Sequence, residues 1–94
     1  MTAANVTANE RAFLVSILKS DFQNGEEPVM HAVWSYDLCS DRADAATLGS
    51  LVKKGLAGHR KAGADSLCWL TEAGAAVIAV EVNGYRSAHA LVAV

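Results

Sequence analysis

A single stretch, LVKKGLAGHRKAGADSLCWLTEAG at residues 51–74, constrains the fold more than any other part of the chain. It begins as the end of a helix, because Gly55 suits the left-handed position that follows a last helical turn. The residues on either side of Gly63 then have the composition of a β-hairpin with a short glycine-containing loop. Thr71 and Glu72 follow as the cap and first turn of another helix. The stretch therefore predicts a helix, a hairpin and a helix in direct succession.

The clearest helical pattern lies near the N-terminus. Thr7 and Glu10 have the T-x-x-E spacing of a capping box, in which each side chain accepts a hydrogen bond from the other residue's backbone N–H. Apolar residues then follow at helical spacing from Phe13 to Phe22. We expect this helix to end just after Phe22, because the polar turn formers Gln23-Asn24-Gly25 come next.

Two further helices are predicted, at Ala45–Lys54 and from the Thr71 cap to about Val82. The last of them is apolar on nearly every side, so we expect it to be buried from several directions. Asn83-Gly84 is expected to end it. Residues 29–36, with the sequence VMHAVWSY, fit a short strand, a short helix, or a strand that runs into a helix.

The chain has 94 residues, which is enough for one domain, residues 1–94, with a small hydrophobic core. Cys39 and Cys68 form no CxxC motif, and we interpret both as reduced, buried thiols. Trp69 is expected in the core. No apolar run approaches the roughly 18 residues that span a membrane, and no secretory signal is recognised, so a cytoplasmic location is expected.

Two segments of the chain resemble the winged helix-turn-helix family. SLVKKGLAGHR (Ser50–Arg60) resembles the end of a recognition helix and the first wing strand, and WLTEAG (Trp69–Gly74) resembles the second wing strand and the following helix. Bacterial regulators similar to the multidrug-resistance and PadR-like groups carry the same pair in this order. The resemblance covers residues 7–82 and implies an α+β winged helix with three to four helices and a small antiparallel β-hairpin wing. The preceding segment, Val33–Asp44, lacks the usual pattern of the second helix.

The basic residues are concentrated in one window of an otherwise acidic chain. Five of the eight lysines and arginines lie from Arg42 to Lys61, where Asp44 is the only acid, so five cations less one anion give +4 in a chain of net charge −2. In a winged helix this window forms the recognition helix and the wing, so the resemblance implies DNA contact. The predicted DNA-binding residues are Arg42, Thr47, Ser50, Lys53, Lys54, His59, Arg60 and Lys61. A structural interpretation stays open, because lysines stabilise a helix C-terminus without DNA.

Two functional hypotheses follow. The first is a bacterial or phage-associated transcriptional regulator that binds double-stranded DNA as a homodimer, through the last helix and the apolar tail at residues 84–94. The alternative is a winged-helix protein-interaction module, an adaptor or a phage or mobile-element inhibitor, that does not bind DNA. The acidic Glu26-Glu27 loop and the negative net charge favour this alternative.

The same sequence disfavours catalysis. His31, His59 and His89 are widely spaced, and none lies three or four residues from another metal-ligating residue on a predicted helix, so no metal motif is present. Gly55-x-x-Gly58 lacks the lysine and hydroxyl residue of a phosphate-binding loop. We therefore expect no enzymatic activity, no cofactor, no metal and no membrane partner.

Overall fold

A computed structural model describes residues 6–20, 27–35, 42–63 and 65–90 of the chain. Within these ranges it is an α+β fold with four helices and one three-stranded antiparallel sheet. The elements in chain order are α1 (Ala8–Leu18), β1 (Val33–Trp34), α2 (Arg42–Lys53), β2 (Ala57–Ala62), β3 (Asp65–Leu70), α3 (Glu72–Val77) and α4 (Ala79–Ala90). This arrangement confirms the α+β class and is compatible with a winged helix.

The sheet is built around the predicted hairpin. β3 is the central strand, paired with β2 from Ala57 opposite Leu70 to Ala62 opposite Asp65. Gly63 has a φ of +66° in the loop, a conformation that glycine adopts without strain. The ambiguous segment at residues 29–36 contains the short strand β1, which pairs with the other edge of β3. Tyr36, where that segment ends, lies outside the described residues.

The hydrophobic core lies between the helices and one face of the sheet. The apolar stripe of α1 packs with residues from α2, β1, β3 and the last two helices, and burial of this apolar surface is the main force that holds the layers together. The largest fully buried core side chains are Leu14, Ile17, Leu18, Val33, Leu51, Cys68, Leu70 and Ile78. Cys68 is buried, as predicted, whereas Cys39 lies outside the described residues.

The predicted capping box is present at the start of α1, but the predicted end of this helix is wrong. Thr7 accepts from the backbone N–H of Glu10 at 3.1 Å, and Glu10 accepts from that of Thr7 at 2.8 Å. The helix ends at Leu18, before Phe22, because Ser20 N–H bonds to a carbonyl only three residues back. At α2 the difference is smaller: the helix starts at Arg42, three residues before the predicted Ala45.

The predicted single helix from Thr71 to Val82 is also wrong. It is divided at Ile78, whose ψ of 42° departs from helical values, and a second helix then continues through Asn83-Gly84 to Ala90. Arg11 donates to the carbonyl of Val77 at 2.9 Å and forms an ion pair with Glu81. One side chain of α1 therefore binds a backbone carbonyl at the end of α3 and a carboxylate in the first turn of α4. The expected burial on all sides is absent too, since Val80 is 80% exposed.

The two halves of the 51–74 stretch contact one another. Thr71 caps α3 by accepting from Gly74 N–H, and its hydroxyl donates to the carbonyl of Gly55 at 2.8 Å. Gly74 packs so tightly that a Cβ there would lie 2.0 Å from the carbonyl oxygen of Leu56. The turn after α2 is thus held directly against the start of α3.

Candidate nucleic-acid interface

The solvent face of α2 carries cations at its two ends. Arg42, Ala46, Gly49 and Lys53 follow at spacings of four, three and four residues, and all four are exposed. We call this row the α2 outer line. At about 1.5 Å of rise per residue its two cations are about 16 Å apart along the helix axis. The residues between them are small, so nothing on this line shields the helix backbone from an approaching partner.

On the α1 side of α2, two predicted DNA-binding residues are held by a buried carboxylate. Ser50 donates to Glu10 at 2.5 Å, and Lys54 donates to the same carboxylate at 2.7 Å. Glu10 is only 5% exposed. The hydrogen bond from Lys54, then those from Ser50 and the Thr7 N–H, lower its pKa from 4.5 to about 2. These contacts hold the side chains of Ser50 and Lys54 against α1, so neither side chain is readily available for DNA contact.

Thr47 also uses its hydroxyl within the protein. The side chain lies between the core and the solvent, and its hydroxyl donates to the carbonyl of Ala43, one turn earlier, at 2.9 Å. A base-edge contact by Thr47 would require this bond to be exchanged. Of the residues predicted on α2, Arg42 and Lys53 are therefore the two best placed for an external partner.

The hairpin register divides the predicted wing residues between two faces. His59 lies opposite Cys68, which is buried on the α2 side of the sheet, and Lys61 has the same parity along the strand. Arg60 lies opposite Leu67 and projects from the other face. The register therefore groups His59 and Lys61 with α2 and separates Arg60 from them.

A groove of about 480 Å³ lies between α2 and the hairpin, and we call it the α2–hairpin groove. Its lining is apolar on the helix side and polar on the sheet side, where it includes one carboxylate. The lining residues are Ser35, Ala45, Leu48, Gly49, Val52, His59, Asp65 and Ser66. The α2 outer line runs along one rim, so a ligand or a nucleic-acid backbone in this position would meet both elements.

The prediction that Trp69 lies in the core is wrong, because the strand alternates its burial in the opposite sense. Cys68 and Leu70 are the fully buried residues of β3, so Trp69 lies on the opposite face and is only partly buried. Its indole covers Gly58, where a Cβ would lie 2.0 Å from the ring. Trp34 is 37% exposed. With Leu67 these two tryptophans form an aromatic outer sheet face.

Other predicted surfaces take the following positions. Glu27 forms an exposed ion pair with Arg86, which lowers the pKa of Glu27, while Glu26 lies outside the described residues. The free face of α4 carries Val80 together with the polar or small residues Asn83, Gly84 and Ser87, so it is less apolar than the sequence predicted. Residues 91–94 of the predicted apolar tail lie outside the described residues.

No protein-family model, curated protein or solved structure matches this chain. In the part of the chain that the structure describes, no three His, Cys, Asp or Glu side chains are grouped to hold a metal ion. A search of the same ranges finds no helix that is both long and apolar enough to cross a membrane.

Proposed function

We propose that this chain is a winged-helix DNA-binding protein that acts as a transcriptional regulator. The observation that carries the proposal is the α2 outer line, with Arg42 and Lys53 at its ends, next to a hairpin whose His59 and Lys61 project on the same side. Further support comes from the order of helices and strands, which is compatible with a winged helix.

The proposed binding mode places α2 in the major groove of a duplex. The major groove is about 12 Å wide, so cations about 16 Å apart on one helix face can reach the phosphates on its two sides. Ala46 and Gly49 allow the helix backbone to approach the base edges closely, and the methyl group of Ala46 suits a thymine methyl. Lys61 would then contact the sugar-phosphate backbone beside the groove.

The proposed contacts are mostly electrostatic, because the hydroxyls of Thr47 and Ser50 are engaged within the protein. We therefore expect moderate affinity, strong salt dependence and limited sequence preference. A homodimer would double the small basic footprint and match a two-fold DNA site. We propose that the dimer forms through α4 and the tail, because Val80 on α4 is the most exposed large apolar side chain among the residues that the structure describes.

Fluorescence anisotropy with a generic labelled duplex at low salt tests the proposal. We expect binding that weakens steeply with salt and falls at least tenfold in the double variant Arg42→Ala, Lys53→Ala. Absence of binding by the wild type, or equal binding by the double variant, would contradict the DNA-binding proposal. Sedimentation of Val80→Asp tests the dimer separately, with a shift from dimer to monomer expected.

A second candidate is a protein-interaction module, and the aromatic outer sheet face favours it. Trp34, Leu67 and Trp69 are all at least partly exposed there, and aromatic side chains of this kind are common anchors in protein interfaces. In this case Trp34→Ala would abolish capture of a specific partner, whereas the Arg42 and Lys53 substitutions would leave it unchanged.

A further inference from the structure

We infer that the α2–hairpin groove is a binding site for a small neutral molecule with an apolar body and an amide-like head group. Its volume of about 480 Å³ lies within the range of about 300–1,000 Å³ that small-molecule sites occupy. The two walls differ in chemistry: Ala45, Leu48 and Val52 line the helix side, whereas hydroxyl, imidazole and carboxylate groups line the sheet side. An elongated molecule would lie with its apolar part against α2 and its polar end against the sheet.

Ser35 provides the strongest sign that a ligand completes this groove. The residue is 5% exposed and lines the groove, and its buried hydroxyl makes no hydrogen bond within the described protein. Buried polar groups are nearly always paired, because an unpaired one loses its hydration without compensation. Because Ser35 lines the groove, a ligand bound there is placed to supply the missing partner.

The charges around the groove select a neutral head group. Asp65 lies in the lining and repels an anion, while Lys61, on the same side of the hairpin, offsets the attraction that Asp65 exerts on a cation. Ser35 and Ser66 can each donate and accept, so the best match is a head group that does both. A carboxamide has this property and carries no charge.

NMR titrations of the full chain with three compounds of similar size test this site. Benzamide carries the neutral amide, benzoate replaces it with an anion, and toluene lacks the polar head. We expect benzamide to produce saturable shifts of the methyl signals of Ala45, Leu48 and Val52, with an affinity at least fivefold higher than that of either other compound. The methyl signals of Val80, on α4, serve as the internal control and should not move.

Two variants assign the interaction to named residues. Ser35→Ala should lower benzamide affinity about fivefold and leave toluene affinity unchanged, since it removes one hydrogen bond. Val52→Phe, at a position already 37% exposed, should fill the groove and weaken benzamide binding without unfolding the protein. Equal binding of toluene and benzamide, shifts centred away from the groove, or no effect of Val52→Phe would overturn the inference. No DNA is present in these titrations, so the result is independent of the DNA-binding proposal.

Discussion

Lys54 donates to the carboxylate of Glu10 at 2.7 Å, and this contact joins the end of α2 to the first turn of α1. Glu10 also completes the capping box of α1 and accepts from Ser50. One buried carboxylate therefore connects the start of the first helix to the helix that we propose as the DNA-contacting element. Two residues that the sequence alone suggests for DNA contact have this structural role.

The first prediction concerns acid stability. The pKa of Glu10 is about 2 in the folded state, below its ordinary value of 4.5, so its contacts contribute full stability above about pH 5. That contribution is lost as the pH falls from about 5 towards 2. Glu10→Gln should therefore lower the free energy of unfolding by about 1–3 kcal/mol at pH 7, and by progressively less at lower pH.

Urea unfolding of both proteins between pH 3 and pH 7 measures this difference. Glu72→Gln is a suitable control, because Glu72 is exposed in the first turn of α3. If the difference in the free energy of unfolding between wild type and Glu10→Gln stays constant over this pH range, ionisation of Glu10 does not contribute to stability.

The second prediction concerns the contact between α3 and the turn after α2. A Cβ at Gly74 would lie 2.0 Å from a backbone oxygen of Leu56, so Gly74→Ala must displace the main chain. We expect a loss of about 1–3 kcal/mol in the free energy of unfolding. Gly84→Ala is the matched control, since no atom lies within 4 Å of its added Cβ, and it should stabilise α4 by up to about 1 kcal/mol. Thermal unfolding in which both variants have the same midpoint would refute the close contact.

The third prediction concerns Gly49 on the α2 outer line. Its added Cβ also meets no atom within 4 Å, so the fold itself does not require glycine there. Gly49→Ala should stabilise α2 by up to about 1 kcal/mol and keep DNA affinity within about threefold. Gly49→Leu should fold equally well but lose DNA affinity at least tenfold, because the larger side chain keeps the helix backbone away from the groove. If the two variants bind a duplex equally in anisotropy titrations, α2 does not approach DNA by this line.

Local signals in the sequence predicted much of the fold. The capping box at Thr7, the glycine-containing hairpin and the Thr71 cap all appear where the chain indicates them, because each depends on residues within a few positions of one another. The end of the last helix could not be predicted in this way. Asn83-Gly84 is a common helix terminator, yet the helix continues through it, and the flanking Val82 is buried in the core. Tertiary packing there outweighs a local cost of about 1 kcal/mol for glycine.

The candidate site was predictable as a region but not residue by residue. The charge window identified α2 and the hairpin, since clustering of lysines and arginines is visible in the sequence. Glu10 and Ser50 are 40 positions apart, and only the fold shows that they bind one another. The buried face of β3 was predicted wrongly, because Trp69 was expected in the core and lies on the opposite face. The burial of Cys68 places its partner His59 on the α2 side of the sheet, and Arg60 therefore lies on the other face.

We propose that α2 and one face of the hairpin contact DNA. Arg60 and Lys61 test this most directly, because they are neighbours in β2 that project from opposite faces of the sheet. Lys61→Ala removes a charge on the α2 side, while Arg60→Ala removes one from the other face of the same strand. In anisotropy titrations over a series of salt concentrations, we predict that Lys61→Ala weakens binding severalfold and reduces the salt slope by about 0.9, the value for one lost phosphate contact. Arg60→Ala should change neither quantity. Equal losses in both variants, or a loss confined to Arg60→Ala, would contradict the proposed orientation of the protein on DNA.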